Sequence, residues 1–171
     1  MKRMFALTLS CILALALTAC GTQPEEAAPT EGKVQLANPY GTYETAQEMM
    51  EAADLEVRLP ENLPDWVSET IYRAIPQELV EVIYTDGDNE IRVRVKNGSG
   101  DISGVYDADT KEEKDLSAGE NTVHVKGETQ EDGSFLVFVC TWNSADGRAY
   151  SVTSRHGVSE EVMLPILEQV Q

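Results

Sequence analysis

The stretch Glu78-Leu-Val-Glu-Val-Ile-Tyr-Thr-Asp-Gly-Asp-Asn-Glu-Ile-Arg-Val-Arg-Val-Lys96 decides the fold. Asp86-Gly87-Asp88-Asn89 is turn chemistry, and each flank alternates apolar and polar residues with the period of a strand. If Thr85 faces Glu90 across the turn, Tyr84 faces Ile91, Val82 faces Val93 and Val80 faces Val95, so the apolar partners share one face. The same register sets Glu81 opposite Arg94 on the other face. A slip of one residue would break both patterns, which makes this hairpin the nucleus of an antiparallel sheet.

On the N-terminal side of the hairpin, a strand is expected over 69–75, stopped by Pro76. Leu55, Val57 and Leu59 alternate with Glu56 and Arg58, which predicts another strand ending at Pro60. Thr45 and Glu48 have capping-box spacing, and Ala46, Met49, Met50 and Ala53 follow at helical intervals. On the C-terminal side, the Gly-, Ser- and Asp-rich segment 97–119 reads as a long loop, with one strand near Val105. Strands return over 121–127, 134–142 and 148–155. The run Phe135-Leu-Val-Phe-Val-Cys140 marks the middle one as central and covered on both faces. Ser159 followed by Glu160 and Glu161 opens a helix to about Gln169, which Pro165 is expected to kink or shorten. The expected class is α+β, a twisted antiparallel sheet of about six or seven strands with N- and C-terminal helices packed on one face.

The N-terminus carries its own signal. Lys2 and Arg3 precede an uncharged run over 4–17, too short for a spanning helix of ~20 residues. Leu17-Thr18-Ala19-Cys20 then resembles the bacterial lipobox, in which the Cys is diacylglycerylated and becomes the first mature residue. Expected are a signal peptide over 1–19, a lipidated Cys20 with a flexible linker to residue 38, and a single domain over 39–171 of about 130 residues, enough for one core. Two acyl chains on Cys20 would hold the protein on the extracytoplasmic face of the bacterial membrane. Cleavage also removes Cys11, so Cys140 would be the one thiol left and no internal disulfide could form.

Thirteen basic against thirty acidic side chains give a formal charge of -17, which argues against a nucleic-acid footprint. Loss of Lys2 and Arg3 leaves eleven against thirty, or -19, and a membrane-facing polybasic patch is not expected. No nucleophile elbow, zinc, redox or phosphate-loop motif occurs, which leans against an enzyme. Cys140, with His124 and His156 as its only imidazole partners, sits in an apolar run and reads as an inert core thiol. His124 alternates with Val123 and Val125 toward solvent, and His156 falls in a turn before the last helix. Asp86, Asp88 and Glu90 have the opening spacing of a calcium loop but lack its sixth-position Gly and twelfth-position acid. Asp107, Asp109, Glu112 and Glu113 lack cage spacing as well, so no metal and no cofactor are expected. Trp142, Tyr106 and Tyr150 are candidates for a sugar- or peptide-binding groove, with sheet packing the plainer role.

The segments Leu79-Val-Glu-Val-Ile-Tyr84, Gly87-Asp-Asn-Glu-Ile-Arg-Val-Arg94, Asp101-Ile-Ser-Gly-Val-Tyr106, Thr141-Trp142, Tyr150-Ser151 and Ser159-Glu-Glu-Val-Met163 together resemble the DUF4367-like family of secreted bacterial lipoproteins. The resemblance runs over 42–171. It implies an exported, lipid-anchored domain and brings no reaction, ligand or catalytic residue; Pro165 departs from the family's last helix.

One local excess remains. Arg92, Arg94 and Lys96 share a strand face in a strongly acidic chain, either neutralised by carboxylates such as Glu81 or open to an anionic partner. The function expected is a non-enzymatic, lipid-anchored domain that binds a protein or envelope partner. The alternative is a hydrolase or carrier acting on cell-wall or lipidic material, which would need an invaginated pocket.

Overall fold

The computed structural model describes residues 38–105 and 112–171. The expected signal, Cys20 and the linker lie outside the described residues, as do Tyr106, Asp107 and Asp109. Ten elements follow in chain order: β1 (Gly41–Tyr43), α1 (Ala46–Ala53), β2 (Glu69–Ile75), β3 (Leu79–Thr85), β4 (Glu90–Asn97), β5 (Glu112–Ala118), β6 (Asn121–Thr129), β7 (Phe135–Asn143), β8 (Arg148–Ser159) and α2 (Glu160–Gln169). The eight strands form one antiparallel sheet in the order β1-β2-β3-β4-β8-β7-β6-β5. Each half of the chain is thus a four-strand meander, and the two meanders meet where β4 pairs with β8 in the middle.

The hairpin register is the expected one: Val80 pairs with Val95, Val82 with Val93, Tyr84 with Ile91, Glu81 with Arg94. Several expectations fail. The sheet has eight strands rather than six or seven, because the short β1 and the charged β5 both join it as edges. Segment 97–119 is therefore not one loop: Glu112–Ala118 pairs with β6, while Val105 is in no strand. Residues 55–59 form no strand of the sheet. Their alternation is real, since Leu55 and Val57 are buried, but the backbone partner is the chain end: Arg58 N donates to Gln171 O (2.7 Å) and Gln171 N to Arg58 O (3.3 Å).

Both helices start where the sequence places them. Thr45 Oγ1 accepts from Glu48 N (3.2 Å), which satisfies an otherwise orphaned donor in the first turn of α1, and Glu48 Oε2 accepts from Glu44 N just before the cap (3.1 Å). Asp54 ends the helix in the left-handed region (φ 53°). The second helix continues through Pro165 to Gln169; Ser159 precedes it with extended backbone but makes no side-chain cap. Met49 and Ala53 of α1 and Met163, Ile166 and Leu167 of α2 belong to one buried cluster with Val80, Val82, Val93, Val95, Val125 and Val152 of the sheet. Each large apolar side chain buried there contributes about 1.5–3 kcal/mol.

Irregularity concentrates in β7 and β8. Lys126 pairs with Val139 but Gly127 with Val137, leaving Phe138 as the extra residue of a bulge. On the other side of β7, Val139 pairs with Thr153 and Val137 with Val158, so residues 154–157 of β8 stand opposite Phe138 alone. His156 lies in this kink, exposed, rather than in a turn before the helix. The strand β7 is interior in order but not uniformly buried: Val137, Val139, Cys140 and Trp142 are buried, while Phe135, Leu136 and Phe138 are half-buried.

Candidate functional site

Alternation directs Leu79, Glu81 and Ile83 of β3 away from the cluster, together with Arg73 of β2, Arg92, Arg94 and Lys96 of β4, and Ser151 of β8. On this opposite face Glu81 is fully buried and gathers three guanidinium groups. Arg94 Nε donates to Glu81 Oε2 at 2.7 Å, Arg92 Nη1 lies 3.4 Å from the same oxygen, and Arg73 Nη1 lies 3.2 Å from Oε1. The Arg73 contact is an ion pair whose geometry falls short of a hydrogen bond. Arg92 Nη2 also reaches Glu90 Oε1 (2.8 Å), whose other oxygen meets Arg155 Nη2 (3.2 Å).

Arg94 does a second job. Its Nη1 donates to the carbonyls of Ser103 (2.5 Å) and Ile102 (3.2 Å), holding loop 98–105 over the face, and Ile102 and Ser103 are buried there. Gly104 (φ +70°) lies where a Cβ would collide with that same guanidinium. Of the three expected site residues, then, Arg94 is 12% exposed and tied down, whereas Arg92 is 26% exposed. Lys96 is half-buried and forms no ion pair among the described residues. The sequence reading missed Arg73 and Arg155, which lie far off in the chain. Arg73 could have been found by folding β2 back on β3 across Pro76, which sets it opposite Glu81.

The other candidates separate. Cys140 belongs to the buried cluster while His124, its neighbour's cross-strand partner, faces the opposite way, so the two cannot act as nucleophile and base. Both imidazole nitrogens face carboxylates instead: Nδ1 lies 3.2 Å from Asp115 Oδ1 and Nε2 3.5 Å from Glu113 Oε2. Trp142 and Tyr150 stack with centroids 4.9 Å apart and planes 7° from parallel, 4% and 2% exposed, which leaves no ring face for a ligand. Asp86 accepts from the backbone N–H of Asp88 and Asn89 and from the Asn89 side chain, and these bonds hold its carboxyl below the ordinary carboxylate range. Glu112 is engaged by Thr129. Among the described residues no three His, Cys, Asp or Glu side chains converge as a metal set.

Burial raises the Cys140 thiol far above its ordinary 9.0 and the Tyr84 phenol above 10.0. A group whose folded-state pKa is raised contributes stability fully below its unfolded pKa and loses it as pH rises further. Unfolding by urea should therefore become easier above about pH 9, where the unfolded thiol ionises and the buried one does not. Native protein at pH 8 should take up no thiol reagent at Cys140, and urea-unfolded protein should label fully; rapid native labelling would place Cys140 outside the core.

Surface clefts of about 660, 350 and 500 Å³ lie at the β7–β8 turn, beside His124 under Gly100, and along α1. None includes a residue of the Glu81 network. No family model, no curated protein and no solved structure matches this chain.

Proposed function

We propose that the chain is a non-enzymatic, lipid-anchored extracytoplasmic domain that docks an anionic protein or envelope partner on the sheet face opposite its two helices. The observation that carries this reading is the charge of that face. Between β2 and β8 its strands present five cations, Arg73, Arg92, Arg94, Lys96 and Arg155, against three carboxylates, Glu69, Glu81 and Glu90, on a chain whose formal charge is -17. Glu81 holds Arg73, Arg92 and Arg94 in place beforehand, which lowers the ordering cost of binding, and the exposed Arg155 and the half-buried Lys96 carry the charge left to meet carboxylate or phosphate. With both helices packed on the cluster face, Met49, Met163 and Ile166 at 0% exposure fill the space a carrier or hydrolase would need as a chamber. The location is read from the lipobox-like Leu17-Thr18-Ala19-Cys20.

The test has two arms. Cys20→Ala should move the protein from the membrane fraction to the soluble one. Lys96→Gln combined with Arg155→Gln spares every contact to Glu81, so the melting midpoint should stay nearly fixed, exposed pairs contributing only about 0–1 kcal/mol each. The same pair of changes should abolish cross-linking to the partner in intact membranes. Unaltered membrane retention in the first arm, or unaltered cross-linking in the second, would sink the corresponding half of the proposal.

A further inference from the structure

The described domain begins at the basic face. Tyr40, the residue before β1, lies under Arg73, whose Cζ is 4.4 Å from its ring centroid, and burial together with the Glu81 charge raises its phenol. Thr42 of β1 is directly opposite Arg73. The chain therefore enters the fold at the Arg73 edge of the network. Nineteen residues, 21 to 39, separate Cys20 from this entry point at Tyr40.

The geometry points to a specific occupant for this face: the anionic headgroup surface of the membrane to which the same chain is tethered. This inference rests on the anchored, face-docking reading above and names its partner. Three observations favour a lipid surface over an acidic protein. The cations come from β2, β4 and β8 on one sheet face, and none of the three clefts described above includes any of them, which suits a planar array of phosphates better than an inserted side chain. The entry point at Tyr40 keeps this face within a short tether of the bilayer, so docking is intramolecular and needs little intrinsic affinity. Finally, a chain carrying -17 is repelled by anionic lipid everywhere except where cations are in excess, so the field itself selects this face. The sequence alone gives no polybasic run; the patch is assembled by the sheet from positions as far apart as Arg73 and Arg155.

The experiment uses the full chain purified with its lipid and inserted into vesicles. Cys140 is fully buried and is expected not to label in the native protein, so a fluorophore can be placed on Thr42→Cys, on the basic face, or on Glu161→Cys, on the exposed side of α2. With a headgroup quencher in vesicles one-third phosphatidylglycerol, the Thr42 label should be quenched several-fold more than the Glu161 label. The difference should vanish in pure phosphatidylcholine and in Lys96→Gln with Arg155→Gln. Raising salt toward 1 M, where the screening length falls to about 3 Å, should abolish it without releasing the protein. Equal quenching of the two labels, or quenching indifferent to phosphatidylglycerol, overturns the inference. If that happens while the same double variant still loses a cross-linked protein, the docking face stands and its partner is a protein. If the protein lacks acyl chains on Cys20 and leaves the vesicles on washing, the anchor itself is wrong.

Discussion

Replacing Glu81 by Gln is expected to cost the fold about 3–5 kcal/mol, the range for removing one partner from a buried ion cluster. The size follows from what stays behind. Glu81 is 0% exposed and is the common anion of Arg73, Arg92 and Arg94, so its loss leaves three cations converging on a neutral amide, with Arg94 too buried to escape to water. Single loss of an arginine should be milder, because the carboxylate keeps two partners. The small cost of breaking an exposed ion pair does not carry over to Arg94, whose side chain is only 12% exposed. Urea unfolding of the variant at pH 7 gives the measurement. A companion, Glu81→Leu with Arg94→Met, deletes both buried charges and should recover most of the loss. A cost below about 1 kcal/mol in Glu81→Gln would mean that water reaches this carboxylate and that the network does not order the face.

How much of this was readable beforehand depends on periodicity. The β3–β4 register was legible because it is specified twice, by apolar partners on one face and by Glu81 with Arg94 on the other. The burial of Glu81 was not, since it needs Arg73 brought in from β2 and Arg94 held by the carbonyls of Ile102 and Ser103 in loop 98–105, and nothing in that Gly-rich segment announces a contact to Arg94. For β5 the pattern failed because an edge strand exposes one side: Glu112, Glu113, Lys114 and Asp115 mask the turnover of faces that its pairing with β6 makes plain. Residues 55–59 failed in the opposite sense. Alternation says only that a segment is extended with one side buried, and here the hydrogen-bonding neighbour is Gln171 rather than a strand. Of the candidate site, Arg92, Arg94 and Lys96 were visible as a stripe, whereas Arg73 and Arg155 enter only through tertiary pairing.

Gly127→Ala should be the second severe substitution, at about 3 kcal/mol, the upper end of the usual range for overpacking. The residue sits at the bulge where β6 and β7 shift register, and a Cβ built there falls inside contact distance of both the Leu136 carbonyl oxygen and the Phe135 ring. Rotation of the ring would relieve only one of the two. The other contact is backbone, so the strands must part, and parting them strains the Thr129 to Phe135 end of the ladder. Phe135 is itself positioned by Lys114, whose Nζ lies 3.8 Å from the ring centroid and 2.5 Å from Glu160 of α2, so the disturbance should reach the join between β5 and the last helix. Amide hydrogen exchange provides a local readout: residues 112–118 and 127–137 should lose protection ahead of β2–β4. The position differs from Gly87 or Gly133, where positive φ rather than contact sets the constraint and nothing lies near a Cβ. If Gly127→Ala melts like the parent, the bulge is more compliant than its contacts require, and the close approach of β6 to β7 is not what fixes the register there.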